Sequence, residues 1–588
     1  MLLTAIKLKV AALAVVAGIE TTDLKNQSPE VKALVDGLET AQTDFEKNAQ
    51  TKPEAVGEFS KKVNDAFAAA KKLADEKNDP NASYLVAHWA AGLQNVNVND
   101  LVTYYKKAGD IPAAQIELAQ VYLQAFKQDA ERAKEAIDLI LKAQAAGNKL
   151  ARRTVAQLHL NGTVSAVIPQ DAKKAIELFE AGSKDGDGES SLALYQIHTA
   201  GINGVVQQDH KKALEKLEEA TKQGSATALG VYGARLLNGD PDTADSPKLV
   251  KKDVKAAVAQ FESAGSKGLA AAHTLLGQLY ERGMDPDIKP DAEAAFKNYQ
   301  QAAARNDATA LLRLAQAFET GIAKTGTKPD DKGQWDPKDI LIAPNPKNSL
   351  DAYRLAAQAR SAEAYYAVGR FYETGTVVDA DPTKAFQLYL AAANAGVLPA
   401  MNQLAGLYAN GTGITQDIIA AAGWFKRAAD AGYTESKIIY GDLNARGAGM
   451  PLNLIAAQSY YEEAAQQGSI LALIRLAMLH GQSGVAATPS EAKPNLPLAW
   501  AFVQLASEAA KGSSAEVTQF VAAFEDAKDK DGKAAITAAV KDAGQKELAK
   551  LKDTFKVFAQ TATPAPAAAA APAAATKKGD AKKKSGEK

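Results

Sequence analysis

Residues 400 to 432 read AMNQLAGLYANGTGITQDIIAAAGWFKRAADAG. Ala400, Leu404, Leu407 and Tyr408 fall on one helical stripe, which Asn410-Gly411-Thr412-Gly413 ends because glycine accepts positive φ. Asp417 is placed to cap a second helix, in which Ile418, Ala421, Trp424, Phe425 and Ala428 recur at i, i+3 and i+4 spacing until Gly432. The spacing predicts an antiparallel helical hairpin. It is too short to bury its own apolar faces and requires neighbours of the same kind.

The chain supplies them. The closing glycine of this unit recurs at Gly109, Gly147, Gly186, Gly224, Gly268, Gly396, Gly432, Gly468 and Gly512, with Asp307 and Arg360 in the matching places. A near-constant period with a few insertions is the signature of stacked helical repeats. The inner words recur too: LLGQLYERG at Leu275 to Gly283, AVGRFYETG at Ala367 to Gly375, and LAGLYANG at Leu404 to Gly411. With the G.G turn, the aspartate and A..WF..AA..G, the chain resembles the Sel-one-like repeat family, a relative of the tetratricopeptide repeat. The resemblance covers about 82 to 512 and is strongest in 363 to 468. It implies an all-α, right-handed α-solenoid of about eleven helical hairpins, used as a non-catalytic scaffold for protein partners.

Outside the repeats, Lys7 and Lys9 precede an apolar run, Val10 to Gly18, so residues 1–18 read as a secretory signal. This points to a periplasmic or secreted bacterial protein, with the cytoplasm as the alternative. Stripes over Val31 to Phe45 and Val56 to Leu73 predict a capping hairpin over 25–80, and helices over 513–560 are expected to cap the far end. From Thr561 an alanine and proline tract leads to a tip with six lysines against Asp580 and Glu587. The tract is expected to be disordered, and the tip suits an anionic surface if it is used at all. No segment is apolar enough to span a membrane.

The formal charge of −1 argues against a chain-wide field for nucleic acid, and the absence of cysteine removes thiol nucleophiles and thiolate metal ligands. No two histidines are spaced as a helical metal pair, and no phosphate loop or nucleophile elbow is present. Neither metal nor cofactor is expected. His159, His198 and His480 take the place of Tyr280, Tyr372 and Tyr408 in stronger units, so they read as packing residues, as do Trp89, Trp424 and Trp500. Asp529 to Gly532 lacks the opening and closing carboxylates of a calcium loop. Asn81, Asn161 and Asn410 begin glycosylation-type triplets at positions expected to be turns.

One column emerges when the units are placed in register on the tyrosine. Two residues before it stand Gln120, Gln157, Gln196, Gln278, Gln316, Arg370, Gly406 and Asp442. One helical turn earlier stand Arg153, Thr274, Tyr366 and Asn402. By the resemblance, these first-helix positions line a partner-binding groove. Glutamine offers donor and acceptor together, which suits an extended peptide or, as a rival, an envelope polysaccharide; it is also an ordinary helix filler. A long insertion, Ile322 to Asn345, carries Trp335, which is expected either to touch a partner or to fold back on its own unit.

Overall fold

The structure is a computed structural model that describes residues 24, 27–48, 55–92, 96–126, 129–162, 168–240, 249–284, 286–330, 334–485, 493–512, 514–529 and 531–560. The signal-like residues 1–18 and the alanine, proline and lysine tail from 561 lie outside the described residues. Two compact units divide the chain. The first comprises 1–317 and 321–343, the second 318–320 and 344–588.

The first unit opens with helices Pro29–Asn48 and Ala55–Glu76, which pair through Phe45 and Phe59, stacked at 4.8 Å. Six hairpins follow: Pro80–Ala91 with Val98–Ala108, Pro112–Ala125 with Ala130–Ala145, Lys149–Asn161 with Ala172–Lys184, Gly188–Ala200 with His210–Lys222, Ala226–Asn238 with Val254–Ser266, and Ala270–Arg282 with Ala292–Ala303. The helix Ala308–Thr320 crosses the division. In the second unit, helix Pro346–Gln358 packs on Ala362–Thr374. Its hairpins are Ala362–Thr374 with Pro382–Asn394, Leu398–Asn410 with Ile418–Asp430, Thr434–Arg446 with Leu454–Gln466, and Ile470–Met478 with Leu496–Ala510. Helix Ala538–Thr554 closes on Leu496–Ala510, with Gly544 against the Trp500 ring.

Local rules account for the hairpins. An aspartate or asparagine before each second helix accepts from an amide two or three residues on, as Asp417 does from Ala420 at 2.9 Å, Asp381 from Lys384 at 3.0 Å and Asn453 from Ala456 at 2.9 Å. First helices end on glycines such as Gly411, at φ 70°. Asn161 and Asn410 close their helices, and Asn81 lies buried in a first helical turn behind Pro80, not in a turn. The insertion is not wholly irregular: Ile322–Ala323 and Ile340–Ile342 pair as a two-stranded arm, and Thr325 Oγ1 accepts from the Ala292 amide at 2.7 Å. Asp529 closes its own turn by accepting from Asp531 and Lys533.

The closing glycine of A..G is there for its backbone, at φ 95° in Gly396 and 97° in Gly432, whereas the second glycine of G.G has a packing reason. At Gly413 an added Cβ would lie 2.6 Å from the Pro382 backbone, and at Gly449 2.9 Å from the Ile418 carbonyl, so each turn presses on the preceding unit. Val377 occupies the same register at φ 74°. A β-branched residue there is strained by about 1–2 kcal/mol. Val377→Gly is expected to stabilise the second unit by about 1 kcal/mol after glycine's greater unfolded-chain freedom is set against the gain. A thermal unfolding midpoint that falls in this variant would show that the backbone is relaxed at 377.

A second device ties the helices of a hairpin together. A tyrosine of the second helix donates to a first-helix carboxylate: Tyr299 to Glu281 at 2.5 Å, Tyr389 to Glu373 at 2.6 Å and Tyr461 to Asp442 at 2.6 Å. Tyr353 donates likewise to Glu319 at 2.6 Å. Burial first, and then the facing carboxylate, push these phenols well above the ordinary tyrosine range. Where the register places alanine at 409, leucine at 160 and leucine at 237 instead of an acid, the second helix carries Phe425, Phe179 and Phe261; where it places alanine at 445, Tyr461 reaches Asp442, about one turn earlier on the first helix. The hydroxyls of Tyr299, Tyr353, Tyr389 and Tyr461 thus each meet an acceptor.

His198 and His480 are buried as expected of packing residues, whereas His159 and Trp424 are only half-buried. His480 stacks on Phe502 at 5.8 Å in a π-helical turn, Leu479–Ser483, and its Nε2 has no partner among the described residues. Burial holds its imidazole below the ordinary histidine range. Between the folded and the higher unfolded pKa, the unfolded chain binds more protons. Stability is therefore full above the unfolded value of about 6.5 and is lost as pH falls below it. Unfolding midpoints at pH 7.5 and 5.5 are expected to differ less in His480→Phe than in the parent. An equal fall in both would assign the pH dependence elsewhere.

Candidate functional site

Every residue of the sequence-derived column lies on the first helix of its hairpin or on Ala308–Thr320, and the division separates it into two sets. In the first unit Gln120, Gln157 and Gln196 are exposed, while Gln278 and Gln316 are half-buried. Gln157 donates to Asn161 Oδ1 at 3.0 Å, and Gln316 accepts from Arg313 at 3.2 Å. In the second unit the column is engaged internally. Asp442 accepts from Tyr461 and from Arg475 Nε at 2.9 Å, Asn402 accepts from Ser436 at 2.8 Å, and Tyr366 lies 5.6 Å from the Tyr389 ring. Arg370 pairs with Glu319 at 3.3 Å and is about half exposed. Trp335 is half-buried on the two-stranded arm. The open part of the column is its run of glutamines.

Arg153 has a different setting. Its guanidinium donates to Asp187 Oδ1 at 2.5 Å, and Ser190 Oγ donates to the other oxygen at 2.6 Å. Asp187 precedes helix Gly188–Ala200 but makes no side-chain cap, because both oxygens face the neighbouring hairpin and its own first turn. Its side chain is 6% exposed, so the charge is neutralised inside the unit. Glu117 is similarly occupied, accepting from Tyr84 at 3.0 Å, Tyr105 at 2.7 Å and His88 at 3.0 Å. Ser225 donates to Glu189 at 2.6 Å, and Ser183 joins Glu219, Ser191 and Gln223 in a further polar seam between hairpins.

Glu117, Arg153, Asp187, Glu189, Gln223 and Ser225 border a groove of about 620 Å³ along the turns that join one hairpin to the next, from Ile116 past Gly147, Gly186 and Gly224 to Lys267. Of the column, only Arg153 reaches it. Asp187 and Glu117 carry no sequence signal that sets them apart, because Arg153 and Tyr84, which they bind, lie on neighbouring hairpins 34 and 33 residues away, and Lys149 and Lys267 come together on the groove only through the stacking of hairpins. A second cleft, of about 700 Å³, opens beside the arm between Tyr280, Ile288, Pro290 and Thr325. Among the described residues no three acidic or histidine side chains converge as a metal site, and no helix is long and apolar enough to cross a membrane.

The Sel1 repeat model matches residues 145–187, 190–225, 270–307, 362–397, 398–433 and 435–469. Among solved structures, a protective antigen of uropathogenic Escherichia coli strains displaying an SLR fold is 17% identical, with a TM-score of 0.52 over 85% of this chain and 98% of that one. A Sel1 repeat protein from Oxalobacter formigenes is 22% identical, with a TM-score of 0.39 over 60% of this chain and 90% of that one. Comparison with curated proteins gives no match.

Proposed function

Starting from the chain's membership of the Sel1-repeat proteins, carried by its six matched segments and its stacked hairpins, we propose that it is a non-catalytic scaffold that holds protein partners on its first helices. Sel1-repeat proteins are generally protein-interaction scaffolds, which gives the reading its class. The observation that supports the surface is the recurrence of exposed Gln120, Gln157 and Gln196 at one register on three consecutive first helices. Each amide carries a donor and an acceptor, so a row of them pairs with an extended main chain without requiring charge.

The test is affinity capture with the parent and with a variant in which Gln120, Gln157 and Gln196 are changed to alanine. Exposed helix positions tolerate alanine, so folding is retained. A protein held by the parent and lost by the variant supports the reading, whereas capture of glycan alone transfers it to an envelope polysaccharide. From the basic and apolar pattern of residues 7–18 we also propose export from the cytoplasm. A mature chain that still begins at Met1 would count against export.

A further inference from the structure

The polar groups of the turn-side groove are out of balance. Its acceptors are largely consumed: both oxygens of Asp187 and both of Glu117 receive hydrogen bonds, and one oxygen of Glu189 is held by Ser225. Its ammonium groups are not. Lys149 and Lys267 are exposed and make no ion pair among the described residues, and Lys267 reaches back over the preceding turn, with Nζ 3.2 Å from where a Gly224 Cβ would stand. The end away from Lys267 is apolar beside Lys149, with Leu150, 40% exposed, and Pro112 over the buried Ala113 and Ile116. The groove passes three successive turns. At about 10 Å per stacked hairpin it has the length of roughly six to nine extended residues.

We infer that this groove binds an extended, acidic segment of a partner protein, with an apolar side chain against Leu150 and carboxylates between Lys149 and Lys267. The inference rests on the scaffold reading and adds to it the partner's chemistry and a second surface. A protein segment fits better than a nucleic acid. Two ammonium groups match one or two carboxylates, whereas a chain with a phosphate at every step would run past Asp187, Glu117 and Glu189 on the same wall.

The experiment displays random decapeptides to the full chain and then measures the selected peptides by fluorescence anisotropy at low and high salt. Enrichment of Asp and Glu, with a Leu or aromatic residue toward one end, is expected. Binding should weaken about tenfold or more in Lys149→Glu/Lys267→Glu and fall with salt. Lys173→Glu/Lys211→Glu, which alters exposed charges outside the groove, should leave it unchanged and controls for folding and net charge. Selection without acidic enrichment, equal binding by both charge-reversed variants, or tighter binding of decathymidylate than of any selected peptide would overturn the inference. If a captured partner depends on the glutamines and ignores the lysines, the groove proposal falls and the scaffold reading stands. If the parent captures no protein partner and selects no peptide, both fall.

Discussion

Arg153→Leu is expected to destabilise the first unit by about 3–5 kcal/mol, the usual cost of removing one partner from a buried ion pair. The reason lies in Asp187, whose carboxylate is 6% exposed and keeps only the Ser190 hydroxyl once the guanidinium is gone. Ser190 cannot turn away to make room, because Gly182 presses on it from the preceding helix: an added Cβ there would stand 2.3 Å from Ser190 Oγ. Pairing Arg153→Leu with Asp187→Asn is expected to recover much of the loss, since no buried charge then remains. Urea unfolding of both variants, with hydrogen exchange across 149–161 and 188–200, checks this. A single variant as stable as the parent would mean that water already solvates Asp187.

That result also bears on function. Arg153 belongs to the column by sequence register, yet its guanidinium is spent on Asp187. Loss of a partner in an Arg153 variant would therefore report damaged packing between two hairpins before it reported a lost contact. Gln120 and Gln196 are the cleaner probes, because they are exposed and their removal strips no buried group of its counter-charge.

The hairpins could be read from the chain because their rules are local. Capping aspartates, closing glycines and the apolar stripe of Ala400, Leu404 and Leu407 each act within a turn or two of helix. The same reading located the column on the first helices, because register alone places a residue on a face. It did not distinguish Gln196, which is exposed, from Asp442, which is held by Tyr461 and Arg475. Those partners lie 19 and 33 residues away, a separation set by how hairpins stack. The Asp187 and Glu117 networks escaped for the same reason. The apolar period that reveals the repeats is silent about which polar residues face one another between them. Val377 was legible in principle, since it stands in the register of Gly413 and Gly449; only the close approach of those turns to the preceding unit makes the substitution informative.

Gly369→Ala tests how tightly a hairpin is keyed. An alanine Cβ at 369 would stand 2.6 Å from Tyr389 Cε1 and 2.8 Å from Cδ1, well inside contact distance, and Tyr389 is fully buried. The ring is held at its far end by the hydrogen bond to Glu373 at 2.6 Å, so it cannot slide along the helix. Overpacking of this kind costs about 1–3 kcal/mol, and the upper half of that range is expected for a tethered ring. The next hairpin indicates how the chain avoids the conflict: Ala405 stands in the register of Gly369, Phe425 in that of Tyr389, and Ala409 in that of Glu373. Without a hydroxyl and its acceptor the ring is free to settle beside a methyl group. Tyr389→Phe alone is expected to cost about 1 kcal/mol for the lost hydrogen bond. In the Gly369→Ala background the same change should cost nothing or restore stability, because it releases the ring that the methyl group obstructs. Thermal unfolding of the two single variants and the double variant measures the coupling. Strict additivity would show that the Tyr389 hydroxyl does not fix the ring, and that glycine at 369 serves the backbone alone.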